Sequence, residues 1–244
     1  MEGSSVDFEF AERLPNSLFR TNREKFLKAM TETADNSHSE GICLFKGKDE
    51  MPIDSTDIEY EVKQESFFYY LFGVQETGCH AAIDLASQKT YLFITKMDEI
   101  YKIWMKVLSI EEIEEIYPDF EVMYMDDLEN WLKETKPSVV YINHGVNSDS
   151  GLETTIPDFS FIKDTEFKDS LNIDKDTIHD ILSECRLIKS EEELEILKIA
   201  NKVSSEAHVH AMRYCKPGVR ESYLSSKFRA YCLEHYNCKI LPYP

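Results

Sequence analysis

The stretch HAAIDLASQKTYLFITKMDEIYKIWMKV, His80 to Val107, decides the fold class. Two runs rich in β-branched and aromatic residues, His80 to Leu85 and Thr90 to Thr95, read as strands, and Asp98 to Val107 then reads as a helix. The same alternation continues outward in both directions. Ile42 to Lys46, Glu121 to Tyr124 and Ser138 to Ile142 are further candidate strands, with helical patterns between them. Ser109 with Glu112, and Asp126 with Glu129, have capping-box spacing, in which an N-cap side chain and a glutamate three positions on satisfy each other's free backbone N–H. The prediction is an α/β domain, a mixed sheet flanked by helices. Phe67 to Phe72 are apolar on both sides, which predicts a strand covered on both faces or a contact surface.

Charge divides the chain further. Of its 244 residues, 27 are Lys or Arg and 46 are Asp or Glu, a formal net charge of −19. Such a surface repels phosphate backbones and anionic lipid, so neither a nucleic acid nor a membrane is an expected partner. Residues 185–244 carry ten basic against seven acidic side chains, leaving 17 against 39 for residues 1–184. This asymmetry places a domain change at Cys185. Beyond it, Ser190 and Glu193 form another capping box, and Ile196, Ala200, Val203, Ala207, Ala211 and Tyr214 recur at helical spacing until Lys216-Pro217-Gly218. A second helix carries Leu224, Phe228 and Tyr231. No strand follows for these stripes to cover, so the two helices are expected to be loosely held, oligomer-forming or folded back.

The first residues, MEGSSVDFEFAERLP, have neither the basic start nor the apolar run of a secretory signal. The longest apolar run, Phe67 to Val74, is far short of a bilayer span. The six cysteines form no C-x-x-C pair and read as reduced thiols, which predicts a soluble cytoplasmic protein.

No complete catalytic constellation is legible. H-E-x-x-H, G-x-S-x-G, phosphate-loop and G-x-G-x-x-G patterns are missing, so no catalytic or metal-ligating residue is assigned. His208 and His210 lie on different sides of a helix, and His80, His144 and His179 are expected to be ordinary hydrogen-bonded or exposed histidines. Asp126 with Asp127 and Asp174 with Asp176 read as a helix start and a solvated loop rather than as metal ligands. Around Trp104, residues Tyr101, Ile103, Met105, Val107 and Leu108 give more apolar surface than one buried side needs, which predicts a contact surface.

Three segments, in order, carry a resemblance: QESFFYYLFGVQETGC (Gln64 to Cys79), KPSVVYINHGVNSDSG (Lys136 to Gly151) and ECRLIKSEEELEILKIANKVSSEAH (Glu184 to His208). Together they resemble the prolidase branch of the Xaa-Pro peptidase family, which shares its first domain with aminopeptidase P, and the likeness runs from about Leu18 to Pro244. The resemblance implies an amino-terminal α/β domain over residues 1–184 and the first helices of an incomplete pita-bread metallopeptidase domain over residues 185–244. It also implies a cytoplasmic homodimer that hydrolyses Xaa-Pro dipeptides with two Mn²⁺ ions held by two Asp, one His and two Glu. Those five ligands belong to a part of the family's catalytic domain that follows the matched segment. No metal is therefore expected on this chain, and it should be catalytically silent alone. Trp104 resembles a tryptophan that the first domain extends toward the partner's pocket, and Tyr243 aligns with a pocket-lining tyrosine. Lys63 stands where the family usually has Arg, and an ammonium cannot reproduce a bidentate guanidinium. Two rival readings are a non-catalytic dimerisation or regulatory partner and, weakly, an acidic nuclease on a ribonuclease-H-like sheet, which the negative charge disfavours.

Overall fold

The computed structural model describes residues 14–33 and 40–241. These fall into two compact units, residues 19–188 and, separately, 14–18 with 189–241. The first unit is built on one six-stranded sheet. Its strands are β1 (Ile42–Lys46), β2 (His80–Asp84), β3 (Thr90–Ile94), β4 (Glu121–Tyr124), β5 (Val140–Ile142) and β6 (Ile173–Asp174), in the spatial order β4-β3-β2-β1-β5-β6. The pairs β1–β2 and β2–β3 are antiparallel, while β3–β4, β1–β5 and β5–β6 are parallel. The sheet is therefore mixed, and its five longer strands are those legible in the sequence.

Alternate residues supply two cores, since successive strand side chains point to opposite faces. Cys43, Phe45, Ala81, Ile83, Leu92, Ile94, Val122 and Tyr141 share one cluster with Phe26 and Met30 of α1 (Asn16–Thr33), Phe68, Leu71 and Phe72 of α2 (Ser66–Phe72), Ile113 of α3 (Ile110–Ile116), and Ile181 and Leu182 of α6 (Ile178–Leu187). Ile42, Leu44, Ala82, Phe93, Val140 and Ile142 form the other with Leu128, Trp131 and Leu132 of α4 (Leu128–Thr135) and with Phe159 and Ile162. A short α5 (Thr165–Ser170) precedes β6. Because both faces are covered, the strands read as continuous apolar runs rather than as alternating ones.

Three local expectations need correction. Phe67 to Phe72 are helical, not extended: the Glu65 carboxylate accepts the backbone N–H groups of Phe67 (2.9 Å) and Phe68 (2.8 Å), and Gly73 ends the helix at φ 66°. A six-residue apolar run carries no period of its own, so the caps decide its conformation. A side chain on Gly73 would also come within 2.2 Å of the Phe19 ring. Asp126 makes no capping box with Glu129. It lies in a 3₁₀ turn, Met125–Asp127, ahead of α4, and the Glu129 carboxylate instead accepts the backbone N–H of Lys163 (2.9 Å) and Asp164 (3.2 Å). Asp98 to Val107 hold only one 3₁₀ turn, Glu99–Ile103, with no buried residue. Without a face pressed on the core, a longer helix has little to stabilise it. The boxes at Ser109/Glu112 and Ser190/Glu193 are both formed.

Cys185 lies inside α6, where its backbone carbonyl accepts the Tyr70 hydroxyl at 3.2 Å. In the other unit, α7 (Glu191–Arg213) and α8 (Glu221–Tyr236) pack through a small cluster in which only Val203, Ala207, Cys232 and Tyr236 are buried. Leu194, Leu197, Val209, Met212, Tyr223 and Leu233 are exposed. Among the described residues, no helix is long and apolar enough to cross a membrane.

Candidate functional site

The Trp104 segment exposes five large apolar side chains: Ile100, Tyr101, Ile103, Trp104 and Met105. It follows β3, and its entry is fixed by the Asp98 carboxylate, which accepts the Ile100 backbone N–H at 2.9 Å. The backbone N–H groups of Trp104 and Met105 both donate to the Tyr101 carbonyl, at 3.1 and 3.0 Å. Edge-to-face contact at 5.7 Å between the Tyr101 and Trp104 rings stiffens the turn. Trp104 is nevertheless 64% exposed and Ile103 75%. Large apolar side chains held outward by a short, capped turn have the form of a contact surface.

A second ordered feature contains the stretch Gly145 to Gly151. The Asn147 side-chain oxygen accepts the backbone N–H groups of Asp149 (3.0 Å) and Ser150 (2.9 Å), closing a tight turn. Thr154 ties its base together: the hydroxyl donates to the Asn143 carbonyl (2.6 Å) and accepts the Gly145 N–H (3.1 Å). His179, at the start of α6, donates from Nδ1 to the buried Asn143 side-chain oxygen at 2.9 Å. Its ring lies so close to Gly145 that a β-carbon there would be 2.1 Å away. The pairing of Asn143 with His179 joins positions 36 apart and has no local signal in the sequence.

One charge cluster of the first unit is partly buried. Arg23 donates to the Leu71 carbonyl (3.0 Å) and to Asp119 (2.7 Å) while stacking over Phe120, and Arg20 takes the other side of the same carboxylate. Burial pushes the Arg23 guanidinium below its ordinary value, whereas the hydrogen bond to Asp119 raises that of exposed Arg20. Against the effect of burial, the two guanidiniums hold the Asp119 carboxyl below the usual range. A cleft of about 440 Å³ lies beside them, lined also by Lys89 and Glu121, which pair at 2.6 Å. Arg20, Arg23 and Lys89 face Glu24, Asp119 and Glu121 there, so the lining carries no net charge. The Arg20/Arg23 spacing on α1 marks one helix face, but the sequence does not point to Asp119 as the partner.

His80 departs from expectation. It is 6% exposed, and neither ring nitrogen has a hydrogen-bond partner. Phe161 lies edge-on to the ring at 5.6 Å, and Lys46, paired with Asp49 at 2.8 Å, shares this side of the sheet with it. Burial, reinforced by the Lys46 charge against opposing contributions from Asp49 and Asp158, pushes the imidazole down to about 4. It is held as a neutral ring.

No group of three or more His, Cys, Asp or Glu that could hold a metal ion occurs among the described residues, so they do not fit a dinuclear manganese centre. Asp174 accepts the backbone N–H of Asp176 (3.0 Å) and Thr177 (2.9 Å) and thereby leads into α6. Trp104 is placed as described above, Lys63 is exposed, and Tyr243 lies outside the described residues.

Comparison with known proteins places these features. The family described as aminopeptidase P, N-terminal domain, matches residues 19–141. The chain is 35% identical to Xaa-Pro dipeptidase of Pongo abelii over 221 residues, which is 90% of this chain and 43% of that protein. It is 34% identical to Xaa-Pro dipeptidase of Homo sapiens over the same shares. The chain thus spans less than half the length of the curated relatives it matches. Among solved structures, aminopeptidase PepP of Pseudomonas aeruginosa superposes with a TM-score of 0.72 at 21% identity, covering 91% of this chain and 50% of that one. That likeness concerns the fold.

Proposed function

The chain belongs to the aminopeptidase P amino-terminal domain family, and from that membership we propose that it is the amino-terminal portion of a manganese-dependent, cytoplasmic Xaa-Pro dipeptidase. The observation that carries this reading is the 35% identity with Xaa-Pro dipeptidase across nine-tenths of the chain. Likeness of fold alone would leave dipeptidase and aminopeptidase level. On this reading residues 1–184 are the family's first domain, and residues 185–244 are the opening helices of a pita-bread catalytic domain. The exposed apolar side chains of α7 and α8 support that assignment, because an amphipathic helix needs cover for its apolar stripe. In a homodimer, Trp104 would reach the partner's substrate pocket, and its outward projection supports this role. Tyr243 is the second proposed substrate contact.

Because no metal-holding group converges among the described residues, the 244 residues by themselves are proposed to be catalytically silent. The test is Gly-Pro hydrolysis with added Mn²⁺. The chain alone should match the blank, and joining it in frame to the remainder of a mammalian Xaa-Pro dipeptidase should restore turnover. Turnover by the unfused chain would overturn the silence; a folded chimera inert toward Xaa-Pro would overturn the dipeptidase reading.

The exposed turn around Trp104 also favours a second reading, a non-catalytic partner that dimerises or pairs with a full-length enzyme. Light scattering tests this second reading. A monomer at micromolar concentration that also fails to bind a full-length dipeptidase would exclude the partner role.

A further inference from the structure

The end of α8 brings together two cysteines that the proposed function does not use. Asn237 adopts a left-handed conformation, φ 50° and ψ 26°, and turns the chain back over the last helical turn. As a result the backbone N–H of Cys238 donates to the carbonyl of Cys232 at 3.1 Å. Reversals of this kind at helix ends bring the residue after the cap against one in the final turn. That bond holds the two residues side by side, and a disulfide needs α-carbons about 4.4–6.8 Å apart. Both side chains also belong to one small apolar cluster, with Val203, Ala207 and Tyr236 around them. Burial, followed by the closeness of Cys238, raises the Cys232 thiol, and burial alone raises Cys238. The other described cysteines lack this arrangement: Cys43, Cys79 and Cys185 are buried in the first unit, and Cys215 is exposed.

We propose that Cys232 and Cys238 are a redox-closable dithiol, oxidised by a small disulfide of the glutathione class. Cys238, the more accessible of the two, gives its proton to solvent, and its thiolate attacks one sulfur of the small disulfide. The small S–S bond breaks, one small thiol leaves, and Cys238 carries a mixed disulfide. Deprotonated Cys232 then attacks the Cys238 sulfur and expels the second small thiol. In sum the two cysteines lose two electrons and two protons, and the small disulfide gains them. Burial keeps both thiols protonated at neutral pH, so closure is slow and responds to sustained oxidation rather than to a brief pulse. Once closed, the bond fixes the reversal at Asn237 and with it the direction in which the chain leaves α8.

The test equilibrates the full 244-residue chain in mixtures of reduced and oxidised glutathione at mildly alkaline pH. Free thiols are then blocked with iodoacetamide, and tryptic peptides are weighed. Both cysteines fall in the single peptide Ala230 to Lys239. The expected result is that this peptide loses two hydrogen atoms and all alkylation as the mixture becomes oxidising, while Cys43 and Cys79 remain free. Cys238→Ser should restore alkylation at Cys232 without altering the far-ultraviolet circular dichroism. Lasting glutathione adducts on Cys232 or Cys238, or two free thiols when exposed Cys215 is fully modified, would overturn the proposal. The wild-type measurement stands even if the variant does not fold.

Discussion

Acid should weaken the first unit through His80, and the size of the effect follows from the structure. The imidazole is buried without a partner for either nitrogen and titrates at about 4 in the fold, against about 6.5 in an unfolded chain. Between those values the unfolded chain binds the extra proton and the folded one does not, so stability is lost as pH falls through that window and is unaffected above it. At about 1.4 kcal/mol per pH unit the full loss is about 3 kcal/mol, of which about 2 kcal/mol has accumulated by roughly pH 5. His80→Leu removes the titration and puts an apolar side chain of similar size in its place. It also removes two unsatisfied nitrogens, so stability at neutral pH should hold or rise by about 1 kcal/mol. Both tryptophans lie in the first unit, and Trp131 packs against Tyr91 and Phe93, so intrinsic fluorescence reports its unfolding. Urea titrations at about pH 7 and pH 5, in wild type and variant, give four free energies. The wild type should lose about 2 kcal/mol more than the variant between the two conditions. Equal losses would show that the buried ring is not the acid-sensitive group.

Three other outcomes are expected. Gly145→Ala drives a methyl into the His179 ring and breaks its bond to Asn143, costing about 2–3 kcal/mol in urea unfolding; in a His179→Ala background most of that cost should vanish, and a coupling below about 0.5 kcal/mol would refute the contact. Arg23→Ala strips a buried partner from Asp119 and leaves the Leu71 carbonyl unpaired, for a loss of about 3 kcal/mol; a change under about 1 kcal/mol in the same assay would contradict that accounting. Trp104→Ala should leave unfolding within about 0.5 kcal/mol of wild type while lowering any self-association seen by light scattering, and a large drop in stability would mean that the ring is packed after all.

The sequence disclosed whatever was local and periodic. The five longer strands were readable because buried strands concentrate β-branched and aromatic residues between turn-forming ones, and the boxes at Ser109 and Ser190 because their two bonds span three residues. Asp126 and Glu129 met the same spacing rule and still failed, because Glu129 was taken by backbone groups at Lys163 and Asp164. The Phe67 to Phe72 helix was misread because its capping carboxylate, Glu65, and its terminating Gly73 lie just outside the apolar run. Strand β6 is two residues long and exists only through pairing with β5, so it had no pattern to show. Of the candidate site, Trp104 could be singled out as surplus apolar surface. The unpartnered His80, the Asn143–His179 bond and the Arg20–Asp119–Arg23 triad depend on residues brought together from distant parts of the chain.

The turn from Glu99 to Met105 contributes nothing to the interior, and this has an evolutionary consequence. Selection for folding does not act on side chains that the fold never encloses, so mutations there should accumulate freely unless another molecule constrains them. Drift among close orthologues at Ile103 and Trp104 would mark an idle protrusion, whereas fixity at those positions beside a drifting Glu99 and Lys102 would be the imprint of a binding partner.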